Sequence, residues 1–165
     1  MRLYKDWRDG CEKLDERTDA KQWVSDVKFS TDGHTLVVGA HDCKIYIYNV
    51  VRTDAGAKLS VRCTFTKHNS VINHLDLSLD GHFMQSNCSA YELLFCDTSN
   101  GKQITMSSEL KDVKWDTWTC TLGWPVQGIW ASGMDGSDIN GVARSHSGHL
   151  VATGDDFGLV SSIRP

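Results

Sequence analysis

The residues whose types and spacing suggest chemistry begin with two histidines three positions apart, His146 and His149. Paired imidazoles bind metal when a helix projects both from one face, as in the HExxH arrangement. Here the pair lies in a predicted hairpin turn, and the intervening residues do not match that motif. We therefore interpret both histidines as structural or solvent-exposed side chains.

The tripeptide at 156–158 reads Asp-Phe-Gly, the metal-binding motif of protein kinases. A kinase also needs a glycine-rich loop, a strand lysine and a catalytic-loop aspartate, and none of these is evident in the chain. The motif is better explained as a turn between strands. In that turn, Asp155 and Asp156 are expected to accept hydrogen bonds from neighbouring backbone amides.

Other catalytic or cofactor-binding patterns are missing from the sequence. It contains no Ser-His-Asp constellation, phosphate-binding glycine loop or paired-carboxylate motif. None of its six cysteines forms a CxxC pair, which leaves a zinc ribbon or thioredoxin-type site unsupported. Cytosolic thiols normally stay reduced, so we interpret the cysteines as packing residues. The sequence therefore predicts no enzyme, no cofactor and no metal site.

Four tryptophans lie within 16 residues: Trp115, Trp118, Trp124 and Trp130. Exposed tryptophans in such a cluster would form a stacking platform for a ligand. Buried tryptophans would instead form the core of a long insert packed over the edge of neighbouring sheets. Gly123 and Pro125 interrupt regular strand pairing there. We favour the interpretation that the tryptophans are packing residues. We also regard the insert as the best candidate for a specialised role, such as contacting an adjacent blade.

The charge balance excludes some partners. Lys and Arg total 17 against 21 Asp and Glu, a net charge of −4. Nonspecific nucleic-acid binding depends on neutralising phosphates, so an acidic chain with no basic run is a poor candidate. The same argument weakens docking to an anionic membrane. The longest apolar runs are also far shorter than the roughly 20 residues that span a bilayer.

Three segments share one layout, at residues 24–49, 71–97 and 139–164. Each has an alternating strand, a polar turn ending in Gly-His, a second apolar strand, a short turn and a third strand. The glycines of the long turns are Gly33, Gly81 and Gly148. They lie 48 and 67 residues apart, so the second interval contains an insertion of about 20 residues.

These repeats predict an all-β fold. Asp-Gly pairs supply the backbone conformations that tight hairpins need, and no segment shows helical periodicity. Segments 61–65 and 102–105 are candidate fourth strands. Short antiparallel sheets at this period indicate the blades of a β-propeller, with a β-sandwich as the alternative. We predict about three four-stranded blades and an insert. The boundaries are 24–66, 67–106 and 139–165 for the blades and 107–138 for the insert.

Several positions resemble a WD repeat. Lys67-His68 resembles the start of a repeat, and Asp42 lies where the polar turn between the second and third strands is expected. Tyr48-Asn49 takes the place of the Trp-Asp dipeptide, which is therefore degenerate. The resemblance implies that His68 makes a hydrogen bond within its blade, to a Ser, Thr or Asp, and so contributes to stability.

Two strings are more specific: WDTWTCTLGWPVQGIW at 115–130 and ATGDDFG at 152–158. With residues 24–30 and 45–50, they resemble the echinoderm-microtubule-associated-protein-like (EMAP-like) family, over about residue 24 to the C-terminus. The resemblance implies tandem WD-type propellers that are associated with microtubules, in the cytoplasm and the cytoskeleton. Three blades would be an internal part of such a ring, so the remaining blades are expected partners, and low stability without them is expected.

The resemblance implies a non-catalytic scaffold for protein–protein interactions, with tubulin or microtubules among the partners. The alternative is a general WD-repeat adaptor that binds peptides or signalling proteins without contacting tubulin. A third hypothesis is an enzyme or metal protein that uses His146, His149 and nearby acidic residues.

Overall fold

A computed structural model describes residues 1–5, 10–54, 56–130 and 138–163. Its strands in these ranges are β1 (Arg2–Tyr4), β2 (Lys13–Glu16), β3 (Val24–Phe29), β4 (Thr35–Ala40), β5 (Ile45–Thr53), β6 (Gly56–Phe65), β7 (Ile72–Leu77), β8 (Phe83–Cys88), β9 (Leu93–Asp97), β10 (Gln103–Ile104), β11 (Ile139–Arg144), β12 (Val151–Asp155) and β13 (Val160–Ile163). Two 3₁₀ helices, Ser107–Leu110 and Trp124–Ile129, follow β10. No helix among the described residues has the length and apolarity to cross a membrane.

The strands form three blade-like antiparallel sheets, in which each strand pairs with the next one along the chain. The first sheet contains β3 to β6, the second β7 to β10 and the third β11 to β13. This arrangement confirms the predicted all-β repeat. Among the described residues the third sheet has three strands, where four were predicted. Residues 131–137 of the predicted insert and residues 164–165 of the third repeat lie outside the described residues.

The long turns repeat one hydrogen-bonding pattern. In the second sheet, the Ser78 hydroxyl donates to Asp80 Oδ1 at 2.6 Å and accepts from the Phe83 amide at 2.9 Å. Gly81 follows with φ of 71°, a left-handed conformation that glycine adopts without steric cost. The equivalent glycines, Gly33 and Gly148, have φ of 70° and 75°. The glycine at the same place in each repeat therefore supplies the backbone conformation that the turn requires.

The first two sheets pack face to face through a buried apolar layer. Its members include Val37, Ile45, Ile47 and Phe65 from the first sheet, and Ile72, Leu75, Leu77 and Met84 from the second. β-Branched and large apolar side chains at alternating positions of each strand supply these contacts. The layer joins consecutive repeats, as expected for units that cannot bury their faces alone.

The opposite face of the first sheet is covered by a hairpin of β1 and β2, which the sequence did not predict. Met1 and Leu3 pack against the cluster that contains Leu36 and Tyr48. Asp15 Oδ2 accepts a 2.7 Å hydrogen bond from the Leu59 amide of β6, and this bond lowers the pKa of the Asp15 carboxyl. The N-terminal hairpin thus shields apolar surface of the first sheet.

A substitution at Gly39 tests the packing between the first two sheets. A Cβ atom at this position would lie 2.7 Å from Ile72 Cγ2, so Gly39→Ala must displace a tightly packed side chain. We expect a loss of about 1–3 kcal/mol in the free energy of unfolding, measured by urea denaturation. Gly128→Ala is the control, because its added methyl group meets no atom within 4 Å. Equal stability of the two variants would contradict the packing.

Candidate functional site

The insert is anchored to β7, an edge strand of the second sheet. Ser78 and Trp115 form an antiparallel bridge just beyond β7. The Asp116 amide donates to the Leu77 carbonyl at 2.9 Å. Such backbone pairing satisfies polar groups that would otherwise remain at an open sheet edge.

A buried carboxylate in β7 fixes the following residues of the insert. Asp76 is completely buried and accepts hydrogen bonds from the hydroxyls of Thr117 and Thr119, at 2.6 and 2.8 Å. The backbone amides of Thr119 and Cys120 also donate to it, each at 2.9 Å. Gln85 Nε2 donates from β8 at 3.0 Å. A carboxylate in the interior requires such donors because they replace its lost water.

Three of the four tryptophans pack against apolar clusters, among them Trp118, which contacts the clusters on both sides of the insert. Trp115 is 2% exposed and packs against Leu110 and Phe95, with its ring centroid 6.2 Å from that of Phe95. Trp130 packs against the apolar cluster of the third sheet, and its Nε1 donates to the Thr121 carbonyl at 2.7 Å. These contacts connect the insert to both neighbouring sheets.

Trp118 and Trp124, together with the buried Trp115, border a cavity of about 500 Å³, which we call the tryptophan groove. Its lining includes Leu79, Lys111, Lys114, Trp118, Trp124 and Arg144. The Arg144 guanidinium carbon lies 4.5 Å from the ring centroid of Trp118, a cation–π geometry. Trp124 lies at the start of the second 3₁₀ helix, next to Pro125, and is 36% exposed. The groove therefore combines aromatic surface with basic groups.

His68 lies in the segment before β7 and bonds within its own blade. Its Nε2 is 2.7 Å from Ser86 Oγ in β8, and its Nδ1 is 3.5 Å from Glu92 Oε2. Burial lowers the pKa of His68, although Glu92 acts in the opposite direction. The amides of Asn69 donate to Glu92 and lower the pKa of its carboxyl to about 2. Glu92 is thus a carboxylate at neutral pH.

Asp42 lies in the turn between β4 and β5. Its Oδ2 accepts hydrogen bonds from the Tyr46 hydroxyl at 2.7 Å and from the Lys21 amide at 2.9 Å. Burial, together with this carboxylate, raises the pKa of Tyr46 to about 12. Asp42 thus links the turn to the segment before β3.

Asp155 and Asp156 lie where β12 enters the following turn, and each accepts hydrogen bonds from backbone amides. Asp155 Oδ1 accepts from the amides of Phe157 and Leu159, at 3.0 and 2.8 Å. Asp156 Oδ2 accepts from the Asp138 amide at 3.2 Å, just before β11. The Asp-Phe-Gly tripeptide is therefore part of a β-turn.

His146 and His149 are both exposed in the turn between β11 and β12. Among the described residues, neither belongs to a group of side chains close enough to share a metal ion. The third hypothesis therefore finds no support in their geometry.

The repeated antiparallel meanders, two of four strands and one of three, define the β-propeller class of protein. The chain matches the family model of the echinoderm microtubule-associated protein second β-propeller over residues 7–164. The chain therefore belongs to the echinoderm microtubule-associated protein family. The match begins ahead of residue 24, so it also includes much of the N-terminal segment that precedes the first predicted blade.

Individual relatives agree with the family model. The chain is 46% identical over 147 residues to the 77 kDa echinoderm microtubule-associated protein of Strongylocentrotus purpuratus, covering 89% of this chain and 21% of that protein. It is 45% identical over 143 residues to human echinoderm microtubule-associated protein-like 2, covering 87% of this chain and 22% of that protein. The chain thus spans about a fifth of the length of these relatives.

Sequence reasoning did not identify Asp76, Gln85, Glu92 or Arg144. The available signal was a polar residue at a position where the strand pattern requires burial, as for Asp76 and Gln85. Arg144 carried no such signal, because its contact with Trp118 joins residues from two separate segments.

Asp76 tests whether the buried carboxylate fixes the insert. We expect Asp76→Asn to lose about 2–4 kcal/mol in the free energy of unfolding, because the neutral amide replaces one acceptor oxygen with a donor. Urea denaturation followed by tryptophan fluorescence measures this loss. Asp112→Asn, at an exposed position, should change stability by less than about 0.5 kcal/mol. A similar small effect at Asp76 would contradict the assignment.

Proposed function

We propose that this chain is part of a non-catalytic scaffold that mediates protein–protein interactions linked to microtubule organisation. The observation that carries the proposal is the tryptophan groove, which lies on an insert fixed to rigid sheets. Binding surfaces are commonly formed by connecting segments that a rigid framework positions. The groove is therefore the surface that we assign to a partner.

The charge of the groove supports an acidic partner. Lys111, Lys114 and Arg144 line it, with Asp112 as the acidic residue beside them. None of the three basic side chains forms an ion pair with another described residue. The rest of the sequence is net acidic, since the whole chain has a charge of −4. A local excess of positive charge favours association with an acidic segment and accelerates its encounter.

The aromatic surface supports a peptide as the form of that partner. Trp118 and Trp124 offer flat apolar surface, and buried tryptophan contacts contribute strongly to protein interfaces. The cavity of about 500 Å³ has the size typical of a site for a few side chains. We therefore assign an extended acidic segment of a protein as the occupant.

The names of the relatives support the microtubule as the source of this segment. Both relatives described above are named as microtubule-associated proteins, so we propose the cytoplasm and the cytoskeleton as the location. The remaining blades of the propeller are proposed as further partners. The second candidate is a peptide adaptor without tubulin contact, which the small size of the groove favours. Nucleic acids and membranes are not proposed as partners.

Co-sedimentation with polymerised tubulin tests the proposal. We expect the chain to pellet at micromolar concentration, and Lys111→Glu with Lys114→Glu to weaken association about tenfold, or ~1.4 kcal/mol. The control is Lys58→Glu with Lys102→Glu, which changes the net charge equally at exposed positions outside the groove. Circular dichroism verifies that all variants are folded.

The outcomes separate the two candidates. A folded chain that does not pellet would contradict the microtubule proposal. If that chain nevertheless binds a glutamate-rich peptide, with quenching of tryptophan fluorescence that the groove variant loses, the adaptor function is supported. Equal weakening in the control variant would contradict the groove as the binding surface.

A further inference from the structure

Three side chains with different ligand atoms converge in the second sheet, away from the tryptophan groove. They are His68 before β7, Cys88 at the end of β8 and Glu92 before β9. An imidazole nitrogen of His68, the Cys88 Sγ atom and a carboxylate oxygen of Glu92 all lie within 4.8 Å of one another. His68 and Cys88 are buried, while the Glu92 side chain is 26% exposed and opens the cluster to solvent.

The contacts around His68 accommodate a neutral imidazole that is protonated at Nε2. The Leu94 carbonyl, 3.4 Å away, accepts from the Ser86 hydroxyl. Ser86 Oγ, 2.7 Å from His68 Nε2, can then accept a hydrogen bond from that nitrogen. A neutral imidazole protonated at Nε2 presents a lone pair at Nδ1. This lone pair points toward the cluster.

The buried Nδ1 atom has no hydrogen-bond partner among the described residues. The nearest charged group is Glu92 Oε2 at 3.5 Å, which is also an acceptor. The Cys88 thiol donates to that same oxygen at 3.2 Å and so offers no proton to Nδ1. In the tautomer protonated at Nε2, two electron-rich atoms face each other, and an unsatisfied buried acceptor costs about 1–3 kcal/mol.

We propose that His68, Cys88 and Glu92 bind a divalent cation of the zinc class, with a water molecule as the fourth ligand. Zinc takes nitrogen, sulfur and oxygen ligands in a tetrahedron at about 2.0–2.3 Å, which separates neighbouring ligand atoms by roughly 3.3–3.8 Å. The observed separations of 3.2 Å between Cys88 and Glu92 and 3.5 Å between His68 and Glu92 are close to this range. The site extends beyond the proposed scaffold function and does not depend on it.

Supporting contacts orient two of the ligands. Ser86 holds the His68 ring through Nε2, and the Asn69 backbone amide donates to Glu92 at 3.0 Å. Groups of this kind fix ligand tautomers and orientations in metal sites. On binding, the S–H bond of Cys88 breaks, a bond between sulfur and the metal forms, and the proton leaves to solvent. No oxidant or reductant takes part. The ion would link the segment before β7 to β8 and to the turn before β9.

Cobalt absorption provides the test, because Co²⁺ takes similar ligands and reports them optically. The whole chain is treated with chelator and titrated with Co²⁺. We expect one equivalent to produce a thiolate-to-cobalt charge-transfer band and visible bands of a tetrahedral ion. Added Zn²⁺ should remove both, and it should raise the melting temperature of the chain.

Variants make the test specific to the cluster. Cys88→Ser should abolish the charge-transfer band and weaken Zn²⁺ binding. Loss of a group that only supports a ligand typically weakens binding about 10- to 100-fold, and we expect loss of the ligand itself to have a larger effect. Cys63→Ser is the control, because this half-buried thiol lies outside the cluster. Glu92→Gln should also weaken binding. Circular dichroism of the metal-free variants establishes that each one is folded.

Two results would overturn the proposal. One is a folded wild-type chain that shows no charge-transfer band in excess Co²⁺. The other is a band that persists in Cys88→Ser, which would assign the thiolate to a different cysteine. In either case, the three side chains serve only as a hydrogen-bonded connection within the blade.

Discussion

The structure depends on a buried negative charge, the carboxylate of Asp76. It lies near the end of β7 with no exposure to solvent. Burying such a charge costs several kcal/mol unless donors surround it. Those donors come mainly from the insert, through Thr117, Thr119 and Cys120, more than 40 residues further along the chain. The buried carboxylate of the second sheet therefore has most of its hydrogen-bond donors only when the insert is packed against β7. For this reason the insert is an integral part of the fold.

The docked insert determines how the second and third sheets are connected. His74 Nε2 donates to the Asn140 carbonyl at 3.0 Å, and the Tyr91 hydroxyl donates to Asp138 at 2.6 Å. Beside these contacts, Trp115 and Trp130 pack into opposite apolar clusters, so the segment between them is held at both ends. The tryptophan groove follows from this arrangement, since its basic residues come from the insert and from β11. The position of these basic residues is thus a consequence of packing.

The predictable part of the fold is the part with a local cause. Alternating apolar residues indicated the strands, and Asp80-Gly81 indicated a turn whose glycine has positive φ. The hairpin of β1 and β2 was missed because its strands are short and polar, and they are stabilised by contacts with β6. The proposed metal ligands were missed for a related reason. His68, Cys88 and Glu92 form no recognisable spacing motif, and they meet only because adjacent strands bring their ends together.

The sequence by itself determined the repeat, the all-β class, the turn geometry and the family resemblance. Each of these rests on residue types a few positions apart, or on strings such as that at 115–130. The tertiary structure decided which tryptophans are buried and which line a groove, and which polar residues meet in the interior. Trp115 and Trp118 belong to one string, yet one is 2% exposed and the other lies against Arg144. Burial and charge pairing depend on distant segments, so no local pattern encodes them.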